Sequence, residues 1–246
     1  MYYYPNDVYI GRSLELYGEF SEEEIRLFEK IISPTDVAVD VGANIGTHTV
    51  ALSRLARDVW ALEPQKSVFD CLCANIAVNG LRNVHCLHLA AGRDARSIAV
   101  PQIDPDTIFN FGGLELFHDW SASGHNTAMI SVIPLDTLAL PACDFIKIDV
   151  EGMELEVLEG AAETIARAQP ILYVENDRAA NQAALITYLK SLGYHIWPHQ
   201  PHLYSDDNFF GNPCNVFGEI VSLNLLCTPM RGRRDIRADR LGLIEM

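Results

Sequence analysis

The stretch Asp40-Val-Gly42-Ala-Asn44-Ile-Gly46-Thr47 decides how this chain folds. It closes a short apolar run, 37–41, and leads into a segment, about 46–57, that reads as a helix. A buried run that breaks at glycine and resumes as a helix is half of a βα unit. Outward from it the alternation repeats, with strands expected at 59–62, 84–91, 145–150 and 171–174. Helices are expected through Val68, Leu72 and Ile76, at 153–168 and at 181–192. Upstream, Ser21-Glu-Glu-Glu24 reads as a capping box for a helix bearing Ile25, Phe28, Ile31 and Ile32, which Pro34 ends.

Short strands alternating with helices define an α/β domain with a doubly wound, largely parallel sheet. Residues 194–229 hold two extended segments about Asp206-Asp207-Asn208 with no helix between, an antiparallel pair that closes the sheet edge. Residues 93–143 break the rhythm with short alternating segments and no convincing helix, and read as an inserted hairpin region over the carboxyl edge of the sheet. The expectation is one domain over 1–246, with a lid helix region at 1–34 and a tail at 231–246.

In an open parallel sheet the turn at Gly42 faces the crevice where ligands bind. Gly42 and Gly46 let the backbone lie close to a ligand, and the N–H groups of the following helix can hold a carboxylate. Asp40, at the strand end, can accept from an ammonium. Glu63 stands 21 positions after Gly42, at the end of the second strand, where a carboxylate can accept from both hydroxyls of an adenosine ribose. An amine, a carboxylate and a ribose together describe S-adenosylmethionine (SAM). The dinucleotide pattern would need glycine at positions held by Asn44 and Thr47, which argues against the rival reading of an NAD-dependent oxidoreductase. A second rival is a non-catalytic module that keeps SAM or another nucleoside.

The fourth strand reads Asp144-Phe-Ile-Lys147-Ile-Asp149-Val-Glu151-Gly152, placing Lys147, Asp149 and Glu151 on one face. Charges on a central parallel strand need compensation. An internal Lys147–Asp149 pair is one reading; an acidic strand tip that orients and deprotonates an acceptor hydroxyl is the other. Glu175 ends the fifth strand beside it. Asp149, Glu175 and Asn176 offer the hard oxygen atoms that Mg²⁺ takes, but solvated loop acids are the simpler reading and no metal is assigned. His48 reads as a packed helix residue, His85 and His88 face opposite sides of the third strand, and His195, His199 and His202 lie near the sixth, where one could serve as a base. Trp120, Trp197 and Phe209-Phe210 are candidates for a pocket lining.

A net charge of −15 disfavours a nucleic-acid partner, and the only basic cluster is Arg231, Arg233, Arg234 and Arg237 in the tail. Cys71, Cys73, Cys86, Cys143, Cys214 and Cys227 show no zinc-ligand spacing and read as reduced, buried thiols. No secretion signal and no apolar stretch near the roughly 20 residues of a bilayer span is evident, so a cytoplasmic protein is expected.

Val39-Asp-Val-Gly-Ala-Asn-Ile-Gly-Thr-His48, Leu62-Glu-Pro64, Pro134-Leu-Asp-Thr-Leu138 and Phe145-Ile-Lys-Ile-Asp-Val-Glu-Gly-Met-Glu-Leu-Glu156 resemble the FkbM-type methyltransferases. Ile10-Gly-Arg-Ser, Gly18-Glu-Phe and Asn110-Phe-Gly-Gly113 are similar to some members, and the likeness runs from about residue 9 to 229. The resemblance implies a class I methyltransferase (Rossmann-like) fold, a seven-stranded sheet with an antiparallel last strand. It implies SAM as donor and O-methyl transfer to a hydroxyl of a small molecule such as a sugar, glycolipid or polyketide. It carries over Asp40, Gly42, Asn44, Gly46 and Glu63 as SAM contacts, Ala91 as the adenine-side position, and Asp149 and Glu151 as active-site acids; Thr47 in the same turn and Glu175 at the next strand tip join the candidates by their positions in the sequence. Acceptor choice would lie in 93–143 and 199–213, where the likeness is weak.

Overall fold

A computed structural model describes residues 1–115, 120, 126–230 and 241–244. The first half of the chain runs α1 (Ile10–Tyr17), α2 (Glu22–Ile31), β1 (Val37–Val41), α3 (Thr47–Leu55), β2 (Asp58–Leu62), α4 (Lys66–Val78) and β3 (Val84–Leu87). Then come β4 (Ala90–Ala91), β5 (Arg96–Pro101), β6 (Thr127–Ile133) and β7 (Phe145–Ile148). The remainder is α5 (Glu154–Glu159), α6 (Ala162–Ala168), β8 (Ile171–Glu175), α7 (Gln182–Ser191), β9 (Tyr194–His199) and β10 (Asn224–Pro229).

The main sheet has seven strands in the order β3-β2-β1-β7-β8-β10-β9. It is parallel from β3 through β8, and β10 runs antiparallel to both β8 and β9. The order reverses at β1 and β7, whose carboxyl tips therefore stand side by side with loops diverging from them, the place where open α/β sheets bind ligands. β1 is buried at all five residues. One face of the sheet packs Val39, Ile146, Leu172 and Val174 against α5, α6 and α7; the other packs Ala38, Phe145, Tyr173 and Leu226 against α2 and α3. Asp40, Lys147 and Tyr173 are register neighbours on that second face, so two charges enter the core in one row.

Five local expectations need correction. The third strand stops at Leu87, where Leu89 N–H turns back to Leu87 O at 3.0 Å, and Ala90–Ala91 pairs with β6 in a separate three-stranded sheet, order β4-β6-β5. Helix 153–168 is two helices, because Asp136 accepts from Glu163 N–H and Thr164 N–H at 2.9 and 2.8 Å and so caps α6 afresh. Gly160 marks the break, where an added Cβ would stand 2.0 Å from Gly92 O. The capping box does not form: Ser21 is left-handed at φ 53° and makes no side-chain cap bond. The buried stripe of α2 is Glu24, Leu27, Phe28 and Ile31, one residue earlier than Ile25 would place it, so Glu24 points into the protein. Finally, the helix region expected at 1–34 holds two helices, α1 ahead of the expected α2.

The cysteines are all free, yet only Cys143 and Cys227 are buried and Cys214 is exposed. The tail arginines lie outside the described residues. No helix among the described residues is long and apolar enough to cross a membrane.

Candidate active site

The tips of β1, β2, β7 and β8 open into a cavity of about 400 Å³, within the range of small-molecule sites. Gly42 at φ 81° and Gly46 at φ 92° shape the β1 turn. Both are demanded by the protein itself: a Cβ on Gly42 would stand 1.8 Å from Asp149 O, and one on Gly46 would stand 2.6 Å from Leu72 Cδ1. The close approach that the sequence reading gave to a ligand is thus used first to bring β1 and β7 together. The turn is held closed by Gly42 and Ala43 N–H donating to Leu62 O at 3.0 Å, and by Gly46 N–H donating to Ala43 O at 2.9 Å. The N–H groups left for an anion are those of the first turn of α3, which lack partners inside the helix.

Glu63 sits at the tip of β2, 3% exposed and on the cavity wall. Asn44 N–H donates to its Oε2 at 3.0 Å and Gln65 N–H to its Oε1 at 2.8 Å. Burial pushes its carboxyl up to about 7, against the pull of those two bonds. Each oxygen keeps acceptor capacity for hydroxyl donors in the cavity. Around Glu63 the segment Asn110-Phe-Gly-Gly113 folds over, with Gln65 Nε2 donating to Phe111 O at 2.8 Å. Gln65, Asn110 and Gly112 therefore join the wall, and sequence reasoning had noted the segment without assigning it a position.

Gly42, Asn44, Thr47, Glu63 and Ala91 line the cavity, as do Leu89 and Ala90 beside Ala91. Ala91 does so from the second sheet, not from the tip of the third strand. Asp40 is not on the wall. It is fully buried, accepts from Thr49 Oγ1 at 2.6 Å and lies 3.7 Å from Lys147 Nζ. A direct contact between Asp40 and a ligand ammonium has no support in this arrangement. Gly46 likewise acts from behind the turn.

The β7 tip carries the charge. β7 ends at Ile148, so Asp149 and Glu151 lie just beyond the strand, and Glu151 and Gly152 turn through φ 52° and 99°. Lys147 is 2% exposed and donates to Asp149 Oδ2 at 2.9 Å. Burial alone would drive its ammonium to the neutral form, but Asp149 and Asp40 outweigh that and keep it charged. Burial raises Asp149 in turn, and Lys147 overcomes it, leaving that carboxyl below its ordinary range. Next to it, Glu175 is raised well above the usual carboxyl value by burial and by Asp149 and Glu151. Glu151 is pushed up to about 7 by burial and Asp149, while Arg178 donates to its Oε2 and opposes the rise. Arg178 also meets Glu115 at 3.0 Å and Asp177 at 3.4 Å.

Asp149, Glu151 and Glu175 all line the cavity, and each brings a carboxylate oxygen within 4.8 Å of the others. Asn176, which the sequence reading grouped with two of them, is not on that wall. Lys147 and Arg178 already supply two positive charges to the cluster. Of the histidines, His195 and His199 lie within β9, where His199 Nδ1 meets Tyr173 OH at 2.7 Å, and neither lines the cavity. His48 does, together with Glu24. Trp197 is in the core, and Phe209 and Phe210 are exposed, so these aromatics are not the pocket lining.

The profile described as "Methyltransferase FkbM domain" matches residues 40–196. The chain is 34% identical over 160 residues to hexuronic acid methyltransferase AglP of Haloferax volcanii, a match spanning 63% of this chain and 62% of that protein. Its structure is similar to that of methyltransferase FkbM from Methylobacillus flagellatus KT, with a TM-score of 0.54 and 22% identity over 79% of this chain and 44% of the other. It is also similar in fold to precorrin-6y C5,15-methyltransferase from Geobacter metallireducens GS-15, with a TM-score of 0.51 and 13% identity over 84% and 89% of the two chains.

Proposed function

The chain belongs to the FkbM methyltransferase family, and from that premise we propose that it transfers a methyl group from SAM to a hydroxyl of a small polyhydroxylated acceptor, a sugar or sugar conjugate. The observation that carries this reading is Glu63, a buried carboxylate fixed by two backbone N–H groups with its free acceptor sites on the cavity. The residues present fit SAM: Glu63 for the ribose hydroxyls, Leu89, Ala90 and Ala91 as an apolar wall on the adenine side, and the first turn of α3 for the carboxylate. Bound there, SAM would supply an electrophilic methyl on a sulfonium.

The chain's own task is alignment, exclusion of water and handling of one proton. Gly42 and Asn44 set the donor side, while Asp149, Glu151 and Glu175 present acceptor-rich oxygens to hydroxyls on the other side. A sugar acceptor is further supported by the hexuronic acid methyltransferase that resembles this chain, although the match covers under two thirds of that protein. The acidic lining favours a hydroxyl-rich small molecule over a polyphosphate.

Calorimetry with S-adenosylhomocysteine (SAH) tests the donor site. Wild-type protein is expected to bind, Glu63→Ala to lose most of that affinity, and NAD to give no thermal shift. Unchanged SAH affinity in Glu63→Ala would refute the ribose assignment. An acceptor screen with labelled SAM, run with and without a chelator, tests the transfer. The three clustered carboxylates predict a chelator effect only if a cation displaces Lys147 and Arg178 from them. Asp149→Asn is expected to lower turnover more than SAH affinity, and equal losses would mark it as structural.

A further inference from the structure

Glu24 stands at a position of α2 that the helix buries. Its companions on that stripe are Leu27, Phe28 and Ile31, and an alkyl side chain would fit there without a desolvation cost. The carboxylate is instead 4% exposed, accepting from Asn224 Nδ2 at 3.2 Å through Oε1, with Oε2 at 3.2 Å from His48 Nε2. His48, on the first turn of α3, is 6% exposed and clamped edge-on between Phe20 and Phe28. Both Glu24 and His48 nevertheless reach the cavity wall. With Nε2 turned to Glu24, the ring nitrogen left for the cavity is Nδ1.

We infer that His48 is the base that takes the proton of the acceptor hydroxyl, with Glu24 of the N-terminal helix as the residue that positions it. This rests on the transferase reading above. The carboxylates at the β7 and β8 tips are poorly suited to the task. Asp149 is tied to Lys147, Glu151 to Arg178, and burial with the neighbouring carboxyls Asp149 and Glu151 pushes Glu175 toward its protonated form. The imidazole of His48 is tied to no cation among the described residues, and its Nε2 lies 3.2 Å from the Glu24 carboxyl. In the step, the acceptor oxygen forms a bond to the methyl carbon while the carbon–sulfur bond breaks and its electron pair remains on sulfur as a thioether. The hydroxyl proton passes to His48 Nδ1, and Glu24 stabilises the imidazolium. The charged groups that face the imidazole are Glu24 from α2 and Asp149 beyond β7, with Lys147 behind them. The Nε2–Oε2 approach of 3.2 Å lacks the alignment of a full hydrogen bond in the free protein, and catalytic hydrogen bonds commonly align only in the complex.

The test is a ring-nitrogen NMR experiment on the full chain labelled in its 8 histidines, with SAH bound and His48 assigned by H48Q. The expected signature is a His48 ring that carries its proton on Nε2 with a bare Nδ1, and loss of that tautomer preference in E24Q. A proton on Nδ1, or a tautomer indifferent to E24Q, overturns the assignment. A transfer assay with labelled SAM and a panel of glucoside, glucuronide and glucosaminide acceptors supplies the second reading. There H48Q is expected to lose about 10²–10⁴-fold in kcat with SAH affinity within about twofold of wild type. E24Q should lose less, again with SAH affinity near that of wild type. H48Q turning over within threefold of wild type also overturns it. A panel in which nothing is methylated counts against the transferase reading, and the tautomer then decides the present inference alone.

Discussion

The two halves of the cavity are built in opposite ways. At the β1 and β2 tips, polar atoms are satisfied by backbone: Glu63 by two N–H groups, and the Gly42 turn by Leu62 O. At the β7 and β8 tips side chains meet side chains, Lys147 pairing with Asp149 and Arg178 with Glu151, while Glu175 keeps a buried oxygen without a hydrogen bond. Backbone bonds fix geometry without a net charge, which suits a ligand that must lie the same way in every turnover. Side-chain charges set up a field, which suits the place where a proton changes hands. The first half is held by backbone bonds and is the quieter in charge, and the second is loaded.

The largest expected effect removes the ion on which the loaded half depends. Lys147→Met leaves Asp40 and Asp149 facing each other across the sheet with no cation between. Breaking a buried pair in this way costs about 3–5 kcal/mol, read as a lower denaturant midpoint at constant slope. A loss below 1 kcal/mol would mean that the charged row is not what holds β1 against β7. Next in size is Gly42→Ala, which tests the quiet half. Its Cβ would overlap Asp149 O at 1.8 Å in a left-handed backbone, and overpacking with strain of this kind costs about 3 kcal/mol. Because that contact crosses from one half to the other, the variant should also weaken SAH binding. Intact affinity with lost stability would separate the glycine's packing role from any part in ligand approach.

The quiet half was the more legible in sequence. Glycines and a carboxylate at strand ends are local signals, and the spacing of Gly42 and Glu63 follows from one βα unit. The sheet was legible for the same reason, since each strand and helix announces itself within a few residues. What failed were features that depend on distant partners. Asp40 reads as a ligand contact until Thr49 and Lys147 are seen to occupy it. The helix at 153–168 reads as one until Asp136, 27 residues upstream of Glu163, caps its second half. Glu24 looks like a capping residue because Ser21 precedes it by three, and only tertiary packing turns it inward. Leu27 in phase with Glu24 and Phe28 was the one local sign of that. Gly160 and Gly92 meet through space, and no window along the chain contains both.

A smaller effect, on affinity, distinguishes the halves at Glu63. Replacing it with Gln keeps the shape but removes the charge that accepts from ribose hydroxyls. Hydrogen bonds to a charged group contribute about 1.5–3 kcal/mol, so SAH affinity should fall about tenfold to a hundredfold. A comparable loss from Glu151→Gln would break the division between the two halves, because Glu151 belongs to the side that faces the acceptor.

The smallest effect is the pH dependence of that same site, and its sign can be worked out. Burial raises the Glu63 carboxyl to about 7 in the empty protein. The folded state then holds a proton that the unfolded chain releases at an ordinary carboxyl pKa. Its contribution to folding is fully present below about 4.5 and is lost as pH rises through about 7. Ligand binding has the opposite sign, since hydroxyl donors favour the ionised carboxylate. SAH affinity should therefore be steady above pH 7 and fall roughly tenfold from pH 8 to pH 6, with proton release in calorimetry below pH 7. Glu63→Gln should abolish that slope, leaving whatever the loaded half contributes. Glu151, also raised to about 7, is tied to Arg178 and turned to the acceptor side. A slope that survives Glu63→Gln and vanishes in Glu151→Gln would move the titrating carboxylate from the quiet half to the loaded one.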